Sequence, residues 1–116
     1  MSAEYRRARR KRAQETIEVT DTMTDQVVGR IGNISETGMM MLATIHLMDD
    51  ALFQLRFSLP DGSARGRAIE VGSHQLWSDA ANVPGQFWAG FRFIDMSPED
   101  AAHLRAWIEQ PGGQYV

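Results

Sequence analysis

Cysteine is absent from the 116 residues. That excludes disulfides, thiolate metal sites and cysteine nucleophiles. Long apolar runs are also missing: none approaches a membrane span, so no membrane insertion is expected. The charged N-terminus is not followed by an apolar stretch, so it does not read as a secretory signal. A cytoplasmic protein is the default. His46, His74 and His103 are scattered, with no carboxylate or second histidine at ligand spacing, so no metal is expected. Asp49-Asp50 reads as an exposed turn rather than an acid/base pair. No nucleophile–base pair and no phosphate-hydrolysing cluster can be found. The chain therefore reads as a non-enzyme, with no catalytic residues and no cofactor.

Positive charge is scarce too, except in one place. From Ala13 onward there are 6 basic against 14 acidic side chains, a net of −8, although the whole chain carries only −3. The balance lies in residues 6 to 12, which hold five arginines and one lysine, half of the 12 basic residues. A cationic arm thus precedes an anionic body. Such an arm repels itself and seeks an anion. Arginine narrows the anion, because its planar fork suits phosphate oxygens and it stacks on flat rings.

The body reads mostly as strands. Thr16–Thr22 is rich in β-branched residues. Gln26–Ile34 follows, with Gly29 and Gly32 marking a bulge or a close backbone approach. Gly38–Thr44 is a third strand, whose alternation puts at least one of Met39, Met40 and Met41 in the core. Leu52–Leu59 is apolar at 53, 55, 57 and 59, the clearest period of two. Pro60-Asp-Gly62 is a turn. Gly66–Ser78 is a long strand bent near Gly72-Ser73, and Gln86–Ile94 is the last. The period then changes. Ser97 caps a helix with Pro98 at its first position and Glu99 and Asp100 facing the positive end of the dipole. Ala101, Leu104, Trp107 and Ile108 form its apolar stripe, and Pro111-Gly112-Gly113 stops it. The expected fold is mainly β: a small six-stranded antiparallel β-barrel with a C-terminal helix packed on it. Residues 1–13 form a flexible basic arm, 14–110 the barrel domain and 111–116 a tail.

Asn33-Ile-Ser-Glu-Thr-Gly38 falls where a hairpin turn belongs. On extended backbone Asn33 and Ser35 share a face. An amide carbonyl there can accept from a base's N–H groups, and the hydroxyl can donate to phosphate or to a base oxygen. Gly38 permits a positive φ and a ligand close to the backbone. Trp77 and Trp88 could each stack on a base, one expected in the core and the other partly exposed.

These residues resemble the PilZ domain family. Its Arg-x-x-x-Arg motif is matched by Arg6-Arg-Ala-Arg-Arg10, and its Asp/Asn-x-Ser-x-x-Gly motif by Asn33-Ile-Ser-Glu-Thr-Gly38. Ile17 and Val19 stand where the family has its first barrel strand, and Gly90–Asp100 is similar to the usual end of such domains. The resemblance implies a bacterial receptor or adaptor module for cyclic di-GMP, a second messenger with two phosphates and two guanines. It implies Arg6 and Arg10 on phosphates and guanine edges, Asn33 and Ser35 on a guanine, and Gly38 shaping the turn. Arg7 and Arg9 could also take part. Ligand binding would change the arm's conformation and signal to an unidentified downstream protein. Two alternatives stand beside it: a PilZ-like interaction module that does not bind the nucleotide, and a nucleic-acid binder using the arm. The acidic body disfavours the second.

Overall fold

The computed structural model describes residues 8–116. Seven strands and one helix follow in order: β1 (Lys11–Arg12), β2 (Glu18–Asp21), β3 (Gln26–Ile34), β4 (Gly38–Ala43), β5 (Leu52–Leu59), β6 (Arg67–Ala80), β7 (Phe87–Met96) and α1 (Pro98–Ile108). Six of the strands close into an antiparallel ring, β3-β2-β5-β6-β7-β4, with β4 returning to β3. Closure gives each of these strands a paired neighbour on both sides.

Alternation fills the barrel. Leu55, Phe57 and Leu59 of β5 point inward with Val19, Val28, Ile31, Ile69, Val71, Ala89 and Phe91. Met39 and Met41 are also core, and Met40 faces outward between them. Leu104, Trp107 and Ile108 of α1 join the same cluster, so the helix plugs the barrel. Ser97 caps that helix: its side chain accepts from the Asp100 backbone N–H at 3.1 Å.

Three irregularities match the glycine signals. The β3–β4 register shifts between Ile31 and Asn33, and the β6–β7 register shifts between Gly72 and Ser73. The β2–β3 register also shifts, between Val19 and Thr20, beside Gly29. A fourth shift, between Gln75 and Trp77, has no glycine to announce it.

Two expectations change. Thr16–Thr22 contributes only Glu18–Asp21 as strand. Lys11 and Arg12, expected within a mobile arm, form β1 instead. The reason is β3's length. Its pairing with β2 spans Gln26–Arg30, which leaves Asn33 and Ile34 an open edge, and Arg12 and Lys11 take it.

Candidate functional site

The β3–β4 turn is built by Ser35. Its hydroxyl accepts from the backbone N–H of Thr37 at 3.1 Å and of Gly38 at 3.2 Å. It also lies 3.3 Å from the Gly38 carbonyl and 3.2 Å from the Thr37 hydroxyl. Ser35 is 1% exposed. Both lone pairs and the proton are thus engaged within the turn. Glu36, at its tip, accepts from Arg105 of α1 at 2.9 Å, tying the turn to the helix.

Gly38 is required for a reason other than the one the sequence suggests. The positive-φ glycines are Gly62, Gly66, Gly85 and Gly112, and Gly38 is not among them. A Cβ on Gly38 would instead lie 2.2 Å from the Phe91 carbonyl oxygen of β7. The constraint is the close approach of two paired strands rather than a left-handed backbone.

Asn33 is the penultimate residue of β3, with its side chain on the outer face. Arg10 Nη1 donates to Asn33 Oδ1 at 2.9 Å. One residue from each motif, 23 positions apart, is thereby brought into contact. Both line a cleft of about 230 Å³ with Met40, Leu76, Trp77 and Gly90. The cross-strand register explains this grouping. Asn33 faces Met40, Met40 faces Gly90, and Gly90 faces Trp77, one row across β3, β4, β7 and β6. Directly opposed residues project from the same face. The bulge between Gln75 and Trp77 turns Leu76 and Trp77 outward together. The indole covers Gly90 so closely that a Cβ there would sit 2.2 Å from Trp77 Nε1. Trp77 stays 41% exposed, leaving ring surface free.

The other expected site residues are distributed as follows. Arg6 and Arg7 lie outside the described residues. Arg9 stacks its guanidinium 3.9 Å over the Tyr115 ring. Arg12 faces Asn33 in the β1–β3 register but lines a second cleft of about 150 Å³ with Gln14, Trp107 and Pro111. Neither Trp77 nor Trp88 is core; Trp107 of the helix takes that place. The grouping of Met40, Leu76 and Gly90 around Trp77 was not foreseen; the one legible signal was Gly90 within an otherwise bulky strand.

A larger hollow, about 490 Å³, lies elsewhere, between β2 and the β5–β6 loop. It shares no residue with either motif and sets Glu15 and Glu18 against Arg56 and Arg65. Its mixed charge argues against a multiply charged anion, so the smaller cleft is the better candidate. Among the described residues no group of three His, Asp or Glu side chains could hold a metal ion. No helix among them is long and apolar enough to cross a membrane.

Comparison with known proteins bears on the family and the fold. The family model described as PilZ domain matches residues 4–110. No curated protein matches the chain. Among solved structures, the PilZ domain of YcgR from Escherichia coli, determined with c-di-GMP, superposes with a TM-score of 0.68 at 19% identity, covering 89% of this chain and 88% of that one. The Bacillus subtilis inhibitor of motility MotI/DgrA superposes with a TM-score of 0.72 at 15% identity, covering 89% of this chain. This chain spans about half of MotI, 49% of its length. YcgR from Escherichia coli in complex with c-di-GMP gives 0.64 at 18% identity over 86% of this chain and 42% of that one. At these identities the likeness speaks for the fold.

Proposed function

The chain belongs to the PilZ domain family, and on that premise we propose that it is a binding module for cyclic di-GMP, not an enzyme. The arginine arm closes over the ligand against the outer barrel face, and a partner protein reads the altered surface. The observation that supports this most is the 2.9 Å contact between Arg10 and Asn33 inside one cleft. A guanidinium, an amide and an indole face meet there. Those are the groups that a phosphate, a guanine edge and a guanine ring require.

In this reading each site residue has a role. Arg10 exchanges its bond to Asn33 for charge-assisted bonds to the ligand, which frees the Asn33 carbonyl oxygen to accept from guanine N–H groups. Trp77 supplies the stacking surface. Ser35 and Gly38 act through the turn: one holds it together, and the other lets β4 and β7 approach. Arg6 completes the first motif, with Arg7 and Arg9 as further cations. Ordering the arm on the ligand costs conformational entropy, so affinity is moderate while the change in shape is large.

The second reading, an interaction module that leaves the nucleotide alone, gains support from the fully engaged Ser35 hydroxyl. Calorimetry separates the two. Cyclic di-GMP should bind, with GTP and a short DNA duplex at least about tenfold weaker, a gap of 1.4 kcal/mol. Equal binding of GTP would reduce the arm to a general anion trap. No heat with any of them would favour the second reading.

A further inference from the structure

Lys11 is the single lysine of the chain; the other eleven of its 12 basic residues are arginines. It belongs to neither motif. Although cationic, it is only 6% exposed. Its Nζ donates to the Trp107 carbonyl at 2.6 Å and sits 4.1 Å above the centre of that indole. The acceptor lies in the last turn of α1, where the dipole is negative; apart from Lys11 it accepts only a long 3.3 Å bond from the Gln110 N–H among the loop and cap contacts. Burial pushes the ammonium's pKa below its ordinary value. An apolar side chain of similar length would fill this space without that desolvation cost. The position of the strand is therefore the more telling consequence of a lysine here.

The surroundings agree. On one side Lys11 faces Ile34 and Arg12 faces Asn33 of β3. On the other, the Arg12 N–H donates to the Gln114 carbonyl at 2.8 Å and the Val116 N–H to the Arg10 carbonyl at 2.9 Å. Lys11 bridges Tyr115 in that second ladder. The root of the arm is thus a strand held between β3 and residues 114–116. Strand side chains alternate, so an inward Lys11 requires an outward Arg10. A slip of one residue would turn Arg10 away from Asn33 and put Arg9 or Lys11 in its place.

We infer that Lys11 is a positioning residue. By anchoring on the end of α1 it fixes the register of β1, and so presents Arg10 to Asn33 and to the ligand. The inference rests on the proposed binding of cyclic di-GMP for its functional meaning, but the register itself can be tested without ligand.

The experiment uses Lys11→Met, which keeps the apolar stem and removes the donor. Without ligand, the Arg12 and Val116 amides should exchange about tenfold faster than in the parent protein. With cyclic di-GMP, calorimetry should give affinity about five- to tenfold lower. Arg10→Ala, costing about tenfold or more in the parent, should cost under about threefold in the Lys11→Met background, because the two residues act together. Unchanged exchange overturns the register pin whether or not the ligand binds. Faster exchange with the full Arg10 effect retained overturns the positioning role. If the parent itself does not bind, the proposed function fails and the exchange data alone decide the pin. Should Lys11→Met not fold, Lys11→Gln, which removes the ammonium but keeps a polar head, is read in the same way.

Discussion

Gly38 and Ser35 belong to the motif, yet their contacts are those of a scaffold. A methyl at position 38 meets a backbone carbonyl, which cannot swing aside as a side chain would. Gly38→Ala should therefore cost about 1–3 kcal/mol of stability through overpacking. Ser35→Ala orphans the two N–H groups that its hydroxyl serves, costing about 1–2 kcal/mol. Thermal melts and ligand titrations on the same samples check this. Both variants should melt earlier, and Ser35→Ala should bind nearly normally per folded molecule. A Ser35→Ala protein with parental stability and lost affinity would return the hydroxyl to the ligand. Trp77 gives the opposite pattern. It is half exposed, so Trp77→Ala should leave the fold intact and cost about 1–3 kcal/mol of binding, the worth of one stacked base. Trp77→Phe should recover most of that loss, and Trp88→Ala should cost little. Parental affinity in Trp77→Ala would place the base elsewhere.

Among the elements, β3 decides the site, because it is long enough to pair with β2, β1 and β4 at once. Its bounds were legible: apolar residues run between the turn around Asp25 and the Asn-x-Ser-x-x-Gly segment. The same is true of β5, with its strict period of two, and of α1, with Ser97 and Pro98 at its start. β1 was not legible. Two residues inside a run of charges show no periodicity, and their strand character comes from an edge that only the folded β3 offers. The bulge at Gln75–Trp77 was hidden for a related reason. One extra residue breaks the alternation, so Leu76 and Trp77 cannot be assigned to a face from sequence alone. The meeting of Arg10 with Asn33 was legible only through the motif pair; no local pattern links positions 23 apart. These pairings set an expectation for hydrogen exchange. The Arg12 amide should be protected in the free protein, and the amides of residues 2–10 should gain protection on adding cyclic di-GMP. Equal protection of residues 2–10 in both forms would contradict closure of the arm.

At the scale of the whole molecule the charges are segregated, with 6 basic against 14 acidic side chains from Ala13 onward. The body repels a long polyanion, whereas the proposed ligand, compact and with two phosphates, would meet the arm without meeting that field. Salt should therefore weaken ligand binding only moderately, since a specific pocket is screened less than a diffuse polycation. A steep loss between low and physiological salt would point to non-specific attraction. The most direct test of the central claim is calorimetric titration of cyclic di-GMP into the parent protein, Arg10→Ala, Arg12→Ala and Asn33→Ala, each confirmed folded by its melt. Arg10→Ala should lose about 1.5–3 kcal/mol, the worth of hydrogen bonds to a charged group. Asn33→Ala should lose about 1 kcal/mol or more, and Arg12→Ala, which lines the other cleft, much less. Equal losses in Arg10→Ala and Arg12→Ala, or parental affinity in both Arg10→Ala and Asn33→Ala, would contradict a site built on the Arg10–Asn33 cleft.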